Sequence, residues 1–527
     1  TNYPNYFPTG TMIDDEGKTQ YWDNPENLLK LAAVNNTVTK NPRIYSRTSI
    51  HPIEGLEMIL EYTYDGKEVA SHTYNGYYSL MHPQNTSISD PKTSNFGNNR
   101  TSVDYNSINA YATYRKSFKD HNLKIMGGFS QETSRTEELK VSRLDMIDPD
   151  LPSITGGVGE TTANDYYGEY IIRGAYGRIN YDYQGKYLLE VNGRYDGSSR
   201  FPRNNRYGFF PSFSLGWQVG REKFMKWTEN WLNEFKLRAS WGEIGNQVLG
   251  DKLIHNYAYI AMMDPEKAQW IMNGMRPITL TTPGMVSSNF TWEVAKTTNI
   301  GVDLSLFNNR LQTTFEWYQR RTEGMLAPGA DFSAEIGAAA PRMNAADLRN
   351  RGWEWSISWR EQRGDWRYNI SFNIYDSKTI IEKYDNAACS LPSDAMPYYE
   401  GMTLGERWGY VTDGFYEIND FVPSSDDVKG WQDGVWTLRE GITSIQGITV
   451  RPGDVKFKNL RDDENSVNRI DPGASTVDNP GDQKIIGNTS ARFQFGSSLG
   501  FGYKGFDFSM LLQGTGKRDV WLLDQSI

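Results

Sequence analysis

A two-residue alternation of apolar and polar side chains runs through this chain in segments of about ten residues, and few folds can use it. Ile300, Val302, Leu304 and Leu306 alternate with Gly301, Asp303 and Ser305. Leu311, Thr313, Phe315 and Trp317 then alternate with Arg310, Gln312, Thr314 and Glu316, with Asn308-Asn309 between the two segments as a tight hairpin pair. Tyr187–Tyr195, Trp353–Trp359 and Phe493–Tyr503 repeat the pattern. Each segment reads as a strand with one dry face and one wet face. The wet face is too rich in Arg, Glu, Asp and Asn to fill a dry core, so it must line water or a polar plug.

About fourteen such strands are expected, most with ten or more residues, whereas soluble strands average about five or six. About nine to eleven tilted residues cross a bilayer, so the lengths suit a membrane barrel. Connection lengths alternate in the same sense. Short ones fall at Pro52–Gly55, Lys119–Asn122, Gln184–Lys186, Asn308–Asn309, Gly364–Asp365 and Gly505; Gly220–Asn233 reads as a small amphipathic helix carrying Phe224, Trp227 and Trp231. Long polar segments lie at 66–102, 136–165, 244–290, 322–350 and 382–489. Short periplasmic turns and long extracellular loops are the outer-membrane arrangement, and a soluble sandwich would not segregate loop length this way. Trp217, Trp241, Trp317 and Trp353 are read as strand-end residues of interfacial girdles. The predicted fold class is all-β: a transmembrane antiparallel β-barrel.

Composition narrows the function. Mean hydropathy is negative and no run of about 18 apolar residues occurs, which excludes a helical span but not a barrel. The net charge of −10 and the lack of a basic stripe argue against nucleic acid as partner. A single cysteine, Cys389, excludes an intrachain disulfide framework. Thr1 opens directly into polar chain with no export signal, so the N-terminus of the protein is expected to lie elsewhere.

Several motifs carry a family resemblance. They are Arg194–Phe201 (Arg-Tyr-Asp-Gly-Ser-Ser-Arg-Phe), Asn205–Trp217, Phe235–Gln247, Trp292-Glu293 with Asn299–Asp303, Asn309–Leu311, Pro452–Phe457, Ile485–Asn488 and Gly500–Gly514. In their order and spacing they resemble the SusC/RagA-type TonB-linked outer-membrane proteins of Bacteroidetes-like Gram-negative bacteria. The resemblance implies a 22-stranded barrel with an N-terminal plug, an importer of oligosaccharides or peptides. It also implies a SusD-like surface lipoprotein as lid and energy drawn from TonB. Residues 1–527 would be part of a single barrel domain, a fragment of a roughly twice-longer protein, with the plug, TonB box and last strands outside them. A siderophore or cobalamin receptor, or a non-transporting structural or adhesive protein, would use the same barrel.

No constellation points to catalysis, so no enzyme activity and no cofactor are expected. His51, His72, His82, His121 and His255 lack metal-ligand spacing. Asp462, Asp463, Asn465 and Asp471 sit where relatives carry a calcium-type loop, but the glycine such a loop requires is missing and Arg461 and Arg469 intrude. A solvated loop is the better reading. Aromatic residues of the long loops are the candidates for contacting substrate or lid: Tyr257, Tyr259, Trp270, Tyr398, Tyr399, Trp408, Tyr410, Phe415 and Tyr416. Such rings stack on sugars and peptides, and equally they pack loops together.

Overall fold

The computed structural model describes residues 11–13, 19–22, 25–30, 34–76, 80–81, 93–148, 150–249, 252–253, 256–287, 290–328, 341–386, 389–392, 398–422, 436–445, 447–461 and 467–520. Fifteen strands form its main sheet. They are β1 (Val34–Lys40), β2 (Arg43–Ile53), β3 (Leu56–Asn75), β4 (Asn95–Phe118), β5 (His121–Leu144), β6 (Thr161–Tyr183), β7 (Tyr187–Ser198) and β8 (Tyr207–Gln218). The order continues with β9 (Leu232–Asn246), β10 (Glu293–Leu306), β11 (Leu311–Pro328), β12 (Arg342–Arg363), β13 (Trp366–Lys383), β14 (Arg492–Tyr503) and β15 (Phe506–Lys517). From β3 to β15, hydrogen-bonded neighbours follow chain order, while β1 and β2 both pair with β3.

Those first two strands are one lane. β1 opposes Glu68–Tyr74 and β2 opposes Leu56–Asp65, in one register from Val34↔Tyr74 to Ile50↔Met58 that shifts only at Ile53↔Leu56 beside the turn. The break falls at Asn41-Pro42, where proline has no N–H to give the ladder, and Gly66 N donates to Pro42 O at 2.9 Å. The fifteen strands therefore fill fourteen lanes, as the alternation leads one to expect.

The chain divides into two compact units: Thr1–Arg115 with Met126–Gly177 and Tyr195–Arg200, and Lys116–Ile125 with Arg178–Arg194 and Phe201–Ile527. In the first, β3 and β4 pair without a shift from Leu56↔Tyr114 to Asn75↔Asn95. Met58, Leu60 and Ile108 lie on one face, and Glu57 and Glu61 on the other meet Arg115 (3.3 Å) and Asn109 (3.0 Å). In the second, β9 to β14 carry the same split. Ile300, Phe315 and Trp355 share the apolar face, and 52%, 45% and 39% of their surfaces stay exposed. Exposed apolar area on this scale needs an apolar medium to cover it.

The strands run further than alternation can show. β3 ends at Asn75, β5 at Leu144 and β11 at Pro328, each well inside a segment read from the sequence as loop. Beyond the lipid both faces meet water, so alternation disappears while backbone pairing continues. For the same reason Trp241, Trp317 and Trp353 lie within strands and not at their ends; they mark the edge of the apolar belt. On β12 the long-loop edge of that belt lies at Trp353, and only Trp217 sits one residue from a strand terminus.

The short turns fall where the sequence puts them. Lys504 and Gly505 both take positive φ, the two-residue turn whose twist suits a hairpin. The Asn308-Asn309 pair widens to Phe307–Arg310, with three successive left-handed residues at 307, 308 and 309. Gly220–Asn233 is a correction: it holds two 3-10 turns, Val219–Arg221 and Lys223–Thr228, closed by i to i+3 bonds such as Met225 N to Glu222 O at 2.9 Å. So short a stretch between two strand ends cannot repay nucleation of an α-helix.

Candidate functional site

The polar face of β9 to β11 is organised by one arginine. Arg238 Nε reaches Asp303 Oδ2 at 3.1 Å, and its Nη1 reaches Glu316 on the next strand but one. Thr314 Oγ1 donates to Asp303 Oδ1 at 3.0 Å. Gly301 makes the span possible, since a Cβ there would lie 2.6 Å from Arg238 Cζ. Glycine in the Asn299–Asp303 motif thus lets a guanidinium lie flat across β10. The result is a polar wall in which one guanidinium is shared by two carboxylates.

The long-loop ends of the strands hold the packed aromatic cores. Phe201, Phe210, Phe290 and Trp292 form one cluster, with Trp292 Nε1 donating to Arg206 O at 3.0 Å. Arg200, 2% exposed, stacks 3.7 Å over the Tyr170 ring. Motif residues that carry the family resemblance are therefore largely packing residues.

Between β13 and β14 the chain folds small sheets of its own. Glu406–Tyr410 pairs with Gln483–Asn488, and Thr412–Phe415 with Val455–Phe457. Asp482, fully buried, ties this loop together: its carboxylate accepts from Leu460 N (2.7 Å), Arg461 N (3.1 Å) and Asp471 N (3.0 Å).

The nine aromatic candidates separate by burial. Tyr399 is buried and donates to Glu406; Trp408 Nε1 donates to Glu406 Oε1 at 3.2 Å. Burial, then Glu406, raises the Tyr399 pKa far above its ordinary value. Tyr416 is 1% exposed and donates to Thr443 O at 2.6 Å; burial first, then Asp420, raises its pKa. Tyr410 packs on Phe457 with ring centroids 5.5 Å apart. Tyr257 and Tyr259 are half-buried. Trp270, Tyr398 and Phe415 remain exposed. Of the acidic loop, Asp462, Asp463 and Asn465 lie outside the described residues, as do His82 and His255, and Asp471 caps Gly473 N at 2.7 Å. No group of three or more potential metal ligands occurs among the described residues.

One surface escaped the sequence reading. Pro265–Lys267 pairs with Ile278–Leu280, and Met272 and Met275 close the hairpin around Asn273-Gly274, both at positive φ. Arg276 Nε braces it from within by donating to Ala268 O at 2.6 Å. Ile271, Met275 and Ile278 are each more than 70% exposed, and Trp270 and Met272 stand beside them. Asn-Gly between apolar residues is the strongest short hairpin signal, and it was there to be read.

Comparisons with known proteins agree with this architecture. Residues 2–478 match the family described as TonB dependent receptor-like, beta-barrel. The TonB-dependent receptor SusC of Bacteroides thetaiotaomicron is 28% identical over 440 residues, covering 80% of this chain and 39% of that protein. TonB-dependent receptor P3 of Formosa agariphila is 28% identical over 417 residues, covering 77% of this chain and 38% of its own. The chain thus spans about two fifths of the length of these relatives. Among solved structures, the RagAB peptide transporter superposes with a TM-score of 0.69 at 18% identity, covering 92% of this chain and 48% of that one. The RagAB peptide importer in its 'closed-closed' state gives 0.72 at 18%, covering 97% and 54%. This chain belongs to the TonB-dependent receptor-like β-barrel family of the outer membrane.

Proposed function

We propose that this chain forms much of the barrel wall of an outer-membrane importer of oligosaccharides or peptides, capped by a SusD-like surface lipoprotein and energised through TonB. The plug on which TonB acts, and the strands that complete the barrel, belong on this reading to parts of the protein outside residues 1–527. No reaction is catalysed; the wall binds and passes its cargo.

The observation that carries the proposal is the apolar hairpin around Met272–Met275, exposed on the long-loop side. Five neighbouring apolar side chains on a braced hairpin form an anchor for a partner, and methionine and tryptophan are enriched at such contacts. The segment 382–489 supplies a second, self-supporting platform on the same side, with Phe415 outward. A lid seated on both would seal the lumen during import, and exposed Trp270 and Tyr398 would be available to lid or cargo.

The test is a Met272→Ser, Met275→Ser, Ile278→Ser variant in the native host. Pull-down of the lipoprotein and substrate uptake should both fall sharply while the barrel keeps its heat-resistant gel mobility. Shortening 382–489 should do the same. Undiminished uptake and lid association in both variants would refute the assignment.

A further inference from the structure

Charges on the apolar side of β9 to β13, just beyond the belt, are unevenly neutralised. Most belong to one relay. Lys296 meets Glu243 at 3.8 Å and Glu323 at 2.7 Å; Arg321 meets Glu323 at 3.5 Å and Glu382 at 2.5 Å; Arg349 meets Glu382 at 3.1 Å. Asp376, on the same face, is held by both Arg492 Nε and Nη2 at 2.5 Å. Arg351 and Lys378 are left over. They stand directly opposite one another across β12 and β13, both exposed, and neither has a carboxylate within ion-pair distance among the described residues. Among the described residues, Arg351 Nε donates only to the neutral Gln319 Oε1.

Like charges directly opposite on one sheet face repel, so this pair destabilises the sheet unless an anion lies between them. The position says which anion. One residue pair nearer the belt, Trp317 faces Trp353, and below them Trp355 and Phe372 continue the apolar surface. Tryptophan sits at headgroup level, so the two cations are placed beside headgroups with acyl chains beneath. Arginine offers phosphate a planar fork and lysine a point charge. We propose that Arg351 and Lys378, flanked by Gln319, bind the phosphate of an anionic lipid headgroup in the leaflet on the long-loop side. The inference rests on outer-membrane placement and is independent of import.

Native mass spectrometry of the whole protein, extracted in detergent from its own membrane, tests it. The probes are lipid A carrying its phosphates, the same lipid stripped of phosphate, and inorganic phosphate. The native protein should prefer phosphorylated lipid A, and Arg351→Gln with Lys378→Gln should weaken that binding by about tenfold or more. Arg363→Gln, at the short-turn end of β12, should leave it unchanged. Equal binding of the stripped lipid would overturn the proposal. So would an equal loss in Arg363→Gln, or displacement by inorganic phosphate at the lipid's own concentration. Heat-modifiable gel mobility, unchanged in every variant, separates loss of binding from loss of fold.

Discussion

Leu304→Arg on β10 is the sharpest test of which face meets lipid. Leu304 shares the apolar face with Phe235 and Thr313, its register partners. Ile300, the last apolar residue of that face before Thr298 and Lys296, lies four residues toward the long loops. At about 3.4 Å per residue and about 40° of tilt, Leu304 sits roughly 10 Å below that edge of a belt about 25 Å tall. That is close to the midplane, where an arginine costs about 2–4 kcal/mol. Its neighbour Asp303 points the other way, to Arg238 and Thr314. Asp303→Asn keeps the threonine contact and leaves Arg238 its bond to Glu316; the partly exposed ion pair it weakens contributes about 1 kcal/mol or less. Urea-dependent folding of each variant into lipid vesicles measures both. Equal losses, or a larger loss for Asp303→Asn, would refute the assignment of faces.

Gly301→Val should lower stability by about 1 kcal/mol, because its side chain displaces the Arg238 guanidinium from its partly exposed ion pairs; Gly301→Ala should cost less, both by the same titration. Asp482→Ala leaves three backbone N–H groups without their acceptor, and limited proteolysis should then cut within 384–491 while the barrel stays heat-resistant; an uncut loop would show that Asp482 does not organise it.

How much was legible depended on range. Asn308-Asn309, Lys504-Gly505 and the runs Ile300–Leu306 and Leu311–Trp317 declare turns and strands because a hairpin turn and a two-residue period are properties of adjacent residues. Burial within the loops was not legible. Tyr399 and Tyr416 stand in the same long segment as exposed Phe415, yet one is closed over by Glu406 and Trp408 and the other lies in a cluster with Phe421 and Val450. The hairpin at Asn273-Gly274 is legible in principle, because its turn too is a property of two adjacent residues, whereas the exposure of the apolar side chains around it is not.

Alternation, turn chemistry and strand length are local, and from them the chain alone determines a membrane-spanning antiparallel sheet with one lipid-facing side. Register is not local. It brings Arg238 within reach of Asp303 and Glu316, sets Arg351 against Lys378, and carries the strands past the belt. Each of these joins residues far apart in sequence, so only the folded sheet, by choosing which residue stands opposite which, could decide them.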